Sequence, residues 1–280
     1  MENIMLVNLN AVLKDAQAKK YGVGLFNTVN LEMAQGVLQA AEALRAPVII
    51  GTAEVLLPYA SLEELAPMLI SMASRASVPV VVHFDHGLTL EKVRLAMDLG
   101  FTSVMYDCSA LAFEENCRAV AALTQEAHAR NVTVEAELGH VGANEGDDDK
   151  SVYTQPNDAA EFCGRTGVDA LAVAVGTAHG AYKSKPQLNF PLLEELSCSV
   201  PVPLVLHGGS GLSENDFQTC IQHGIAKVNI FTDINQAAAQ AAHDCFAAGK
   251  GMTDVMPEIT AAVRKATEEK MRIFSSAGQA

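Results

Sequence analysis

Residues 81–87 read VVHFDHG. The apolar run that starts at Val78 ends here in His83, Phe84, Asp85 and His86, so a strand suited to burial terminates in an acid flanked by histidines. An ionisable cluster brings nothing to a packed interior, but it suits the mouth of an active site. Similar runs recur at 22–27, 47–52, 103–107, 132–138, 170–176, 202–208 and 226–232, with 79–85 the third of the eight. Between them lie longer segments with apolar residues at helical spacing, such as 30–46, 62–76 and 113–130. Within each short run the apolar residues are nearly continuous, as in parallel strands covered on both faces.

Eight strand–helix repeats in 280 residues predict an α/β chain closed into a (β/α)8 TIM barrel, a single domain over 1–280 with a C-terminal helical tail. An open doubly wound sheet fits less well, because the first strand runs into LFNTVN without a glycine-rich dinucleotide turn. Two polar stretches, 139–157 and 177–189, follow predicted strands and are expected as loops over the active face.

The balance of 19 basic against 33 acidic residues, net −14, argues against nucleic acid or an anionic membrane as partner, since both need a basic footprint. With no long apolar run and no secretory signal pattern, the expectation is a soluble cytoplasmic protein. The six cysteines are widely spaced and lack a C-x-x-C pair, so neither a disulfide framework nor a cysteine metal site is suggested.

Polar residues interrupt the apolar runs at their C-terminal ends: Asn27, Asp85 with His86, Asp107, Glu135 and Glu137, His179, His207 with Gly208, and Asn229 with Thr232. In a barrel these ends share one mouth. His86, His179 and His207 then converge from three strands as neutral imidazoles, a donor set suited to catalytic zinc, although any one of them alone could be a hydrogen-bonded core residue. HGGSG (207–211) and NIFTD (229–233) follow strands seven and eight, where barrels often bind phosphate on glycine-lined backbone and helix starts. Gly208, Gly209, Ser210 and Thr232 are the candidates there, with Asn27 and Asn229 beside them.

HFDHG (83–87), EAELGHVG (135–142), AVGTAHGAY (174–182), LHGGSG (206–211) and KVNIFTD (227–233) together resemble the class II, metal-dependent ketose-bisphosphate aldolases, in particular the tagatose-bisphosphate aldolase branch. The resemblance implies the (β/α)8 barrel and reversible cleavage of a ketose bisphosphate or related phosphorylated ketose, of the tagatose or fructose 1,6-bisphosphate kind. The products would be dihydroxyacetone phosphate and an aldehyde such as glyceraldehyde 3-phosphate. It implies zinc on His86, His179 and His207, with Asp107 and Glu137 near a second or displaced ion, and sodium or potassium near the phosphate. Asp85 matches the proton-transfer aspartate and Glu145 the loop glutamate that serves the carbanion carbon. Gly180, Gly208, Ser210, Asn229 and Thr232 match positions that hold dihydroxyacetone phosphate. A homodimer or homotetramer is implied.

Carbon–carbon cleavage beside a carbonyl needs either an amine or a metal to take up charge. No lysine is predicted at a strand's C-terminal end, Lys227 opening its strand at the other end, so the metal route is favoured. The chain departs from its relatives at Gly87, where many have a second histidine, at Phe231 and at Ala53. A phosphosugar isomerase or epimerase, and a non-catalytic aldolase partner subunit, are the alternative readings.

Overall fold

A computed structural model of the protein describes residues 5–139, 153–177 and 186–280. β1 (Leu6–Val7) and α1 (Leu9–Lys19) come first. Eight strand–helix units follow: β2 (Val23–Asn27) with α2 (Leu31–Leu44), β3 (Val48–Ala53) with α3 (Leu62–Ser74), β4 (Val80–Gly87) with α4 (Leu90–Asp98), and β5 (Ser103–Tyr106) with α5 (Phe113–His128). The remaining four are β6 (Thr133–Leu138) with α6 (Pro156–Thr166), β7 (Ala170–Val173) with α7 (Phe190–Ser199), β8 (Leu204–Leu206) with α8 (Glu214–Gln222), and β9 (Ile225–Ile230) with α9 (Thr232–Ala247). α10 (Met252–Ile273) closes the chain. Strands β2 to β9 pair in parallel with their sequence neighbours, and β2 pairs with β9. The sheet is therefore a closed (β/α)8 barrel. Each of the eight expected runs forms a strand, although β5, β7, β8 and β9 stop short of the predicted ends.

The ninth strand has a local cause. The β4–β5 ladder begins only at His83, and β1 pairs with Val80 and Val81, the part of β4 that β5 does not reach. α1 then turns under the barrel, burying Leu9, Val12, Leu13 and Ala16 against Val23, Leu25, Ile49, Val81 and Val205. A larger core lies between the strands and the surrounding helices, fed by Phe26, Ile50, Val82, Phe84, Val134 and Val228.

This division follows from strand alternation, since successive side chains point to opposite faces. On β4 it places Val81, His83 and Asp85 inside the barrel and Val80, Val82 and Phe84 against the helices. The interior thus has an apolar floor formed by Val23, Leu25, Ile49, Val81 and Val205. Above it lies a charged and polar layer of His83, Ser103, Glu135 and Lys227, all fully buried.

Helix starts are fixed locally. Asn30 and Thr89 each accept a hydrogen bond from a backbone N–H in the first turn, and Ser61 and Ser213 form capping boxes with Glu64 and Asp216. α10 presents Val255, Ile259, Val263, Thr267 and Met271 at helical spacing and packs on α2 and α9. Among the described residues, no helix is long and apolar enough to cross a membrane.

Candidate active site

The C-terminal ends of the strands open into a cavity of ≈ 380 Å³. Asn27, Asp85, His86, Asp107, Glu137, Gly208, Gly209, Ser210, Asn229 and Thr232 all line it. His207 is buried immediately behind, its ring centroid 4.5 Å from that of His86. His179, Gly180 and Glu145 lie outside the described residues.

Asp85 and His86 are neighbours in one strand, and a regular strand would send them to opposite faces. The β4–β5 register shifts between Phe84 and Gly87, and His86 takes φ +41°. That is the left-handed region, uncommon for a residue with a Cβ, and the bulge it makes brings two consecutive side chains to the same cavity. Gly87 has no room for a Cβ, which would collide with the Val93 side chain and the Met105 carbonyl. The departure at Gly87 is therefore built into the packing of β4 against β5 and α4.

Asp85 is 2% exposed and held from both sides. Asn27 Nδ2 donates to its Oδ2 at 2.8 Å, and Asn229 Nδ2 donates to its Oδ1 at 3.0 Å. Burial opposes its ionisation, but His86, Lys227 and His207 outweigh that and hold the carboxyl well below the usual carboxylate range. It is an oriented, ionised acceptor within hydrogen-bonding range of whatever enters the cavity.

The histidines sit among carboxylates. His86 Nδ1 lies 2.9 Å from Asp107 Oδ2, while Asp107 Oδ1 accepts from the Ser109 backbone N–H and hydroxyl. His207 Nε2 lies 2.9 Å from Glu135 Oε1, and its Nδ1 is 3.2 Å from Glu137 Oε2. Burial works against the charged His207 ring, yet the two glutamates push its pKa up to about 10. A carboxylate against one ring nitrogen is what fixes the tautomer and orientation of a metal-ligating imidazole. Potential donor atoms of Asp85, His86 and His207 lie within 4.8 Å of one another, as do those of His86, Asp107 and Glu137. A half-buried His86 and a buried His207, each backed by a carboxylate, at this spacing fit a divalent metal of the zinc class, and the second group fits a neighbouring or displaced ion.

Lys227 departs from its expected place. It starts near the lower end of β9, but its side chain faces inward, and four methylenes carry the ammonium up the barrel to within 2.8 Å of both Glu135 Oε2 and Asn229 Oδ1. Glu135 is consequently held down to about 2 despite its burial, with Lys227 and then the His207 hydrogen bond as causes. His83 remains neutral in the same layer, bonded through Nδ1 to Ser103 Oγ at 2.7 Å, because burial and Lys227 lower its pKa to about 3. The chain Asp85–Asn229–Lys227–Glu135–His207 links the acid to a candidate ligand through hydrogen bonds and ion pairs among buried groups. The sequence reading assigned no role to Lys227 or Glu135. The signal available was an acid and a base placed inside otherwise apolar strands.

Removing one member of such a buried pair strands the other charge. We expect Lys227→Met to destabilise the fold by about 3–5 kcal/mol, read as a lowered urea midpoint. Adding Glu135→Gln should recover part of the loss. A fall below about 1 kcal/mol would show that the pair carries no such penalty.

The sequence profile of the family described as Fructose-bisphosphate aldolase class-II matches residues 7–279. The protein YdjI of Escherichia coli K12 is 43% identical over 284 residues, covering 99% of this chain and all of its own. The crystal structure of the YdjI aldolase superposes with a TM-score of 0.91 at 41% identity, over 99% of this chain and 100% of that one. A fructose-bisphosphate aldolase of Staphylococcus epidermidis is 38% identical over 283 residues, 98% of this chain and 99% of the relative. With a barrel whose mouth gathers motif residues from β4, β6, β8 and β9, and likeness along almost its full length, the chain belongs to the class II fructose-bisphosphate aldolase family.

Proposed function

We propose that the protein is a zinc-dependent aldolase that reversibly cleaves a phosphorylated ketose into dihydroxyacetone phosphate and an aldehyde. The observation carrying this reading is Asp85, a buried carboxylate fixed by Asn27 and Asn229 beside two carboxylate-backed imidazoles at the cavity floor. His86 and His207, with His179 as third ligand, would hold the metal. When bound, it supplies a Lewis acid for the negative charge that cleavage leaves on the ketone half.

The chain's own residues handle protons and position. In cleavage, Asp85 takes the proton from the hydroxyl on the carbon that becomes the aldehyde. As the carbon–carbon bond breaks, that carbon gains its C=O and the electron pair stays with the ketone half. Glu145 then delivers a proton to that half, giving dihydroxyacetone phosphate. The phosphate is assigned to Gly208, Gly209, Ser210 and Thr232, with Gly180. Gly209 lies against β9, and α9 begins at Thr232 with no side chain capping its first turn, which makes the backbone N–H groups of that first turn candidate donors to a phosphate. Asn229 and Asn27 orient Asp85 between the two halves. A monovalent cation near the phosphate, a homodimer or homotetramer, a single-domain chain and a cytoplasmic location complete the reading.

Incubation with dihydroxyacetone phosphate and a panel of aldehydes tests it. Carbon–carbon bond formation abolished by a chelator supports the aldolase. A rearranged single sugar would mean an isomerase or epimerase, and no reaction with any aldehyde a non-catalytic subunit. Roles separate by proton exchange: we expect Glu145→Ala to slow exchange from dihydroxyacetone phosphate into water by about 10²-fold or more, and Asp85→Asn to affect it far less. Normal exchange in Glu145→Ala would move that role to another acid of the 147–149 run.

A further inference from the structure

The two sides of the cavity differ in chemistry. β8 and β4 lie opposite each other in the eight-strand ring. The β8 and β9 side carries the glycines and the uncapped start of α9. On the β3 and β4 side, beyond Asp85 and His86, the lining is apolar: Ala53, Val55, Leu56 and Leu88 line the cavity there, while Phe231, between β9 and α9, lines it on the glycine side. Val55 is 62% exposed and Leu88 52% exposed, so these side chains stand at the open mouth rather than in packing. No lysine or arginine among the described residues lines the cavity, whereas Asp85, Asp107 and Glu137 do.

One feature on this side could hold an anion, the start of α4, and the protein already occupies it. Glu54 Oε2 accepts from the backbone N–H groups of Leu88 at 2.7 Å and Thr89 at 3.0 Å, and Oε1 accepts from the Thr89 hydroxyl at 2.9 Å. Thr89 also caps the helix through Lys92 N–H. A second phosphate arriving at this wall would meet an internal carboxylate in its natural site, further carboxylates on the floor, and methyl groups elsewhere.

Building on the aldolase reading, we infer that the aldehyde half of the substrate carries no phosphate, so that the ketose is a 1-phosphate rather than a bisphosphate, with Val55, Leu56 and Leu88 shaping the distal subsite. This narrows the expectation of a glyceraldehyde 3-phosphate product.

The test is a matched pair on the intact, metal-loaded enzyme: condensation of dihydroxyacetone phosphate with both enantiomers of glyceraldehyde and both of glyceraldehyde 3-phosphate. We expect kcat/KM for the better glyceraldehyde to exceed that for the better phosphorylated aldehyde by about tenfold or more, the scale of one missing charged hydrogen bond. Leu88→Arg, which puts a guanidinium on the solvent-exposed wall, should shift the ratio about tenfold toward the phosphorylated aldehyde. Equal or better use of glyceraldehyde 3-phosphate by the native enzyme overturns the inference, because a cation must then reach the wall from beyond the residues described. That outcome leaves the aldolase reading standing. Failure to join any aldehyde would instead remove the reading on which the inference rests.

Discussion

Asp85→Asn is expected to lower kcat for cleavage about 10³-fold while leaving the metal in place. The substitution keeps the shape and one of the two accepting oxygens but removes the base, and a positioned general base contributes about 10²–10⁴-fold. Asp85 is well suited to this comparison because its geometry is fixed from outside: Asn27 and Asn229 approach its two oxygens separately. Metal content by elemental analysis should match the native protein, and binding of dihydroxyacetone phosphate should change little. A rate within threefold of native would remove Asp85 from the chemistry. Loss of metal together with activity would make it a ligand instead, which its place among the grouped donors also permits.

His207→Ala should show the opposite combination, with metal and activity lost together. Losing a Lewis acid costs several kcal/mol of transition-state stabilisation, about 10³-fold or more in rate. Added zinc should not restore the variant, whereas native protein stripped by a chelator should recover on zinc addition. The variant also leaves Glu135 and Glu137 without the ring that lies between them, so it should unfold at lower urea than native. Retention of one zinc per chain by His207→Ala would move the metal to the other donor group, His86, Asp107 and Glu137.

Much of this site could be read from the chain alone, because barrel strands deliver their last residues to one place. Asn27, Asp85, His86, Asp107, Glu137, Ser210, Asn229 and Thr232 are far apart in sequence and adjacent in space for that reason. What escaped depends on direction and reach. Sequence shows only where the Cα of Lys227 sits, whereas its contacts are set by where its ammonium ends, one layer higher. Glu54 and Leu88 are 34 positions apart, and nothing in their local sequence announces that one fills the donors beside the other. β1 is too short to carry a pattern and exists only because β5 starts late. Gly87 looked like a lost side chain, and the packing makes it a position that admits none.

The bulge in β4 also makes the enzyme intolerant of shifts in reading frame along one strand. Ladder pairing with β3 runs unbroken from Val48–Val80 to Ala53–Asp85, so the spacing from Val80 counts out which residues arrive at the mouth. One residue inserted between Val80 and Phe84 would deliver Phe84 and Asp85 where the acid and the imidazole stand, and one deleted would deliver His86 and Gly87. Proton transfer and metal binding would fail in the same event. The same change beyond Gly87 would fall in the connection that bears Leu88, leaving the acid and the imidazole in register but disturbing the Glu54 contacts and the α4 cap. Gly87 thus divides the strand into a stretch whose length is fixed by the β3 ladder and a two-residue connection, Leu88 and Thr89, whose length is fixed only by Glu54 and the start of α4.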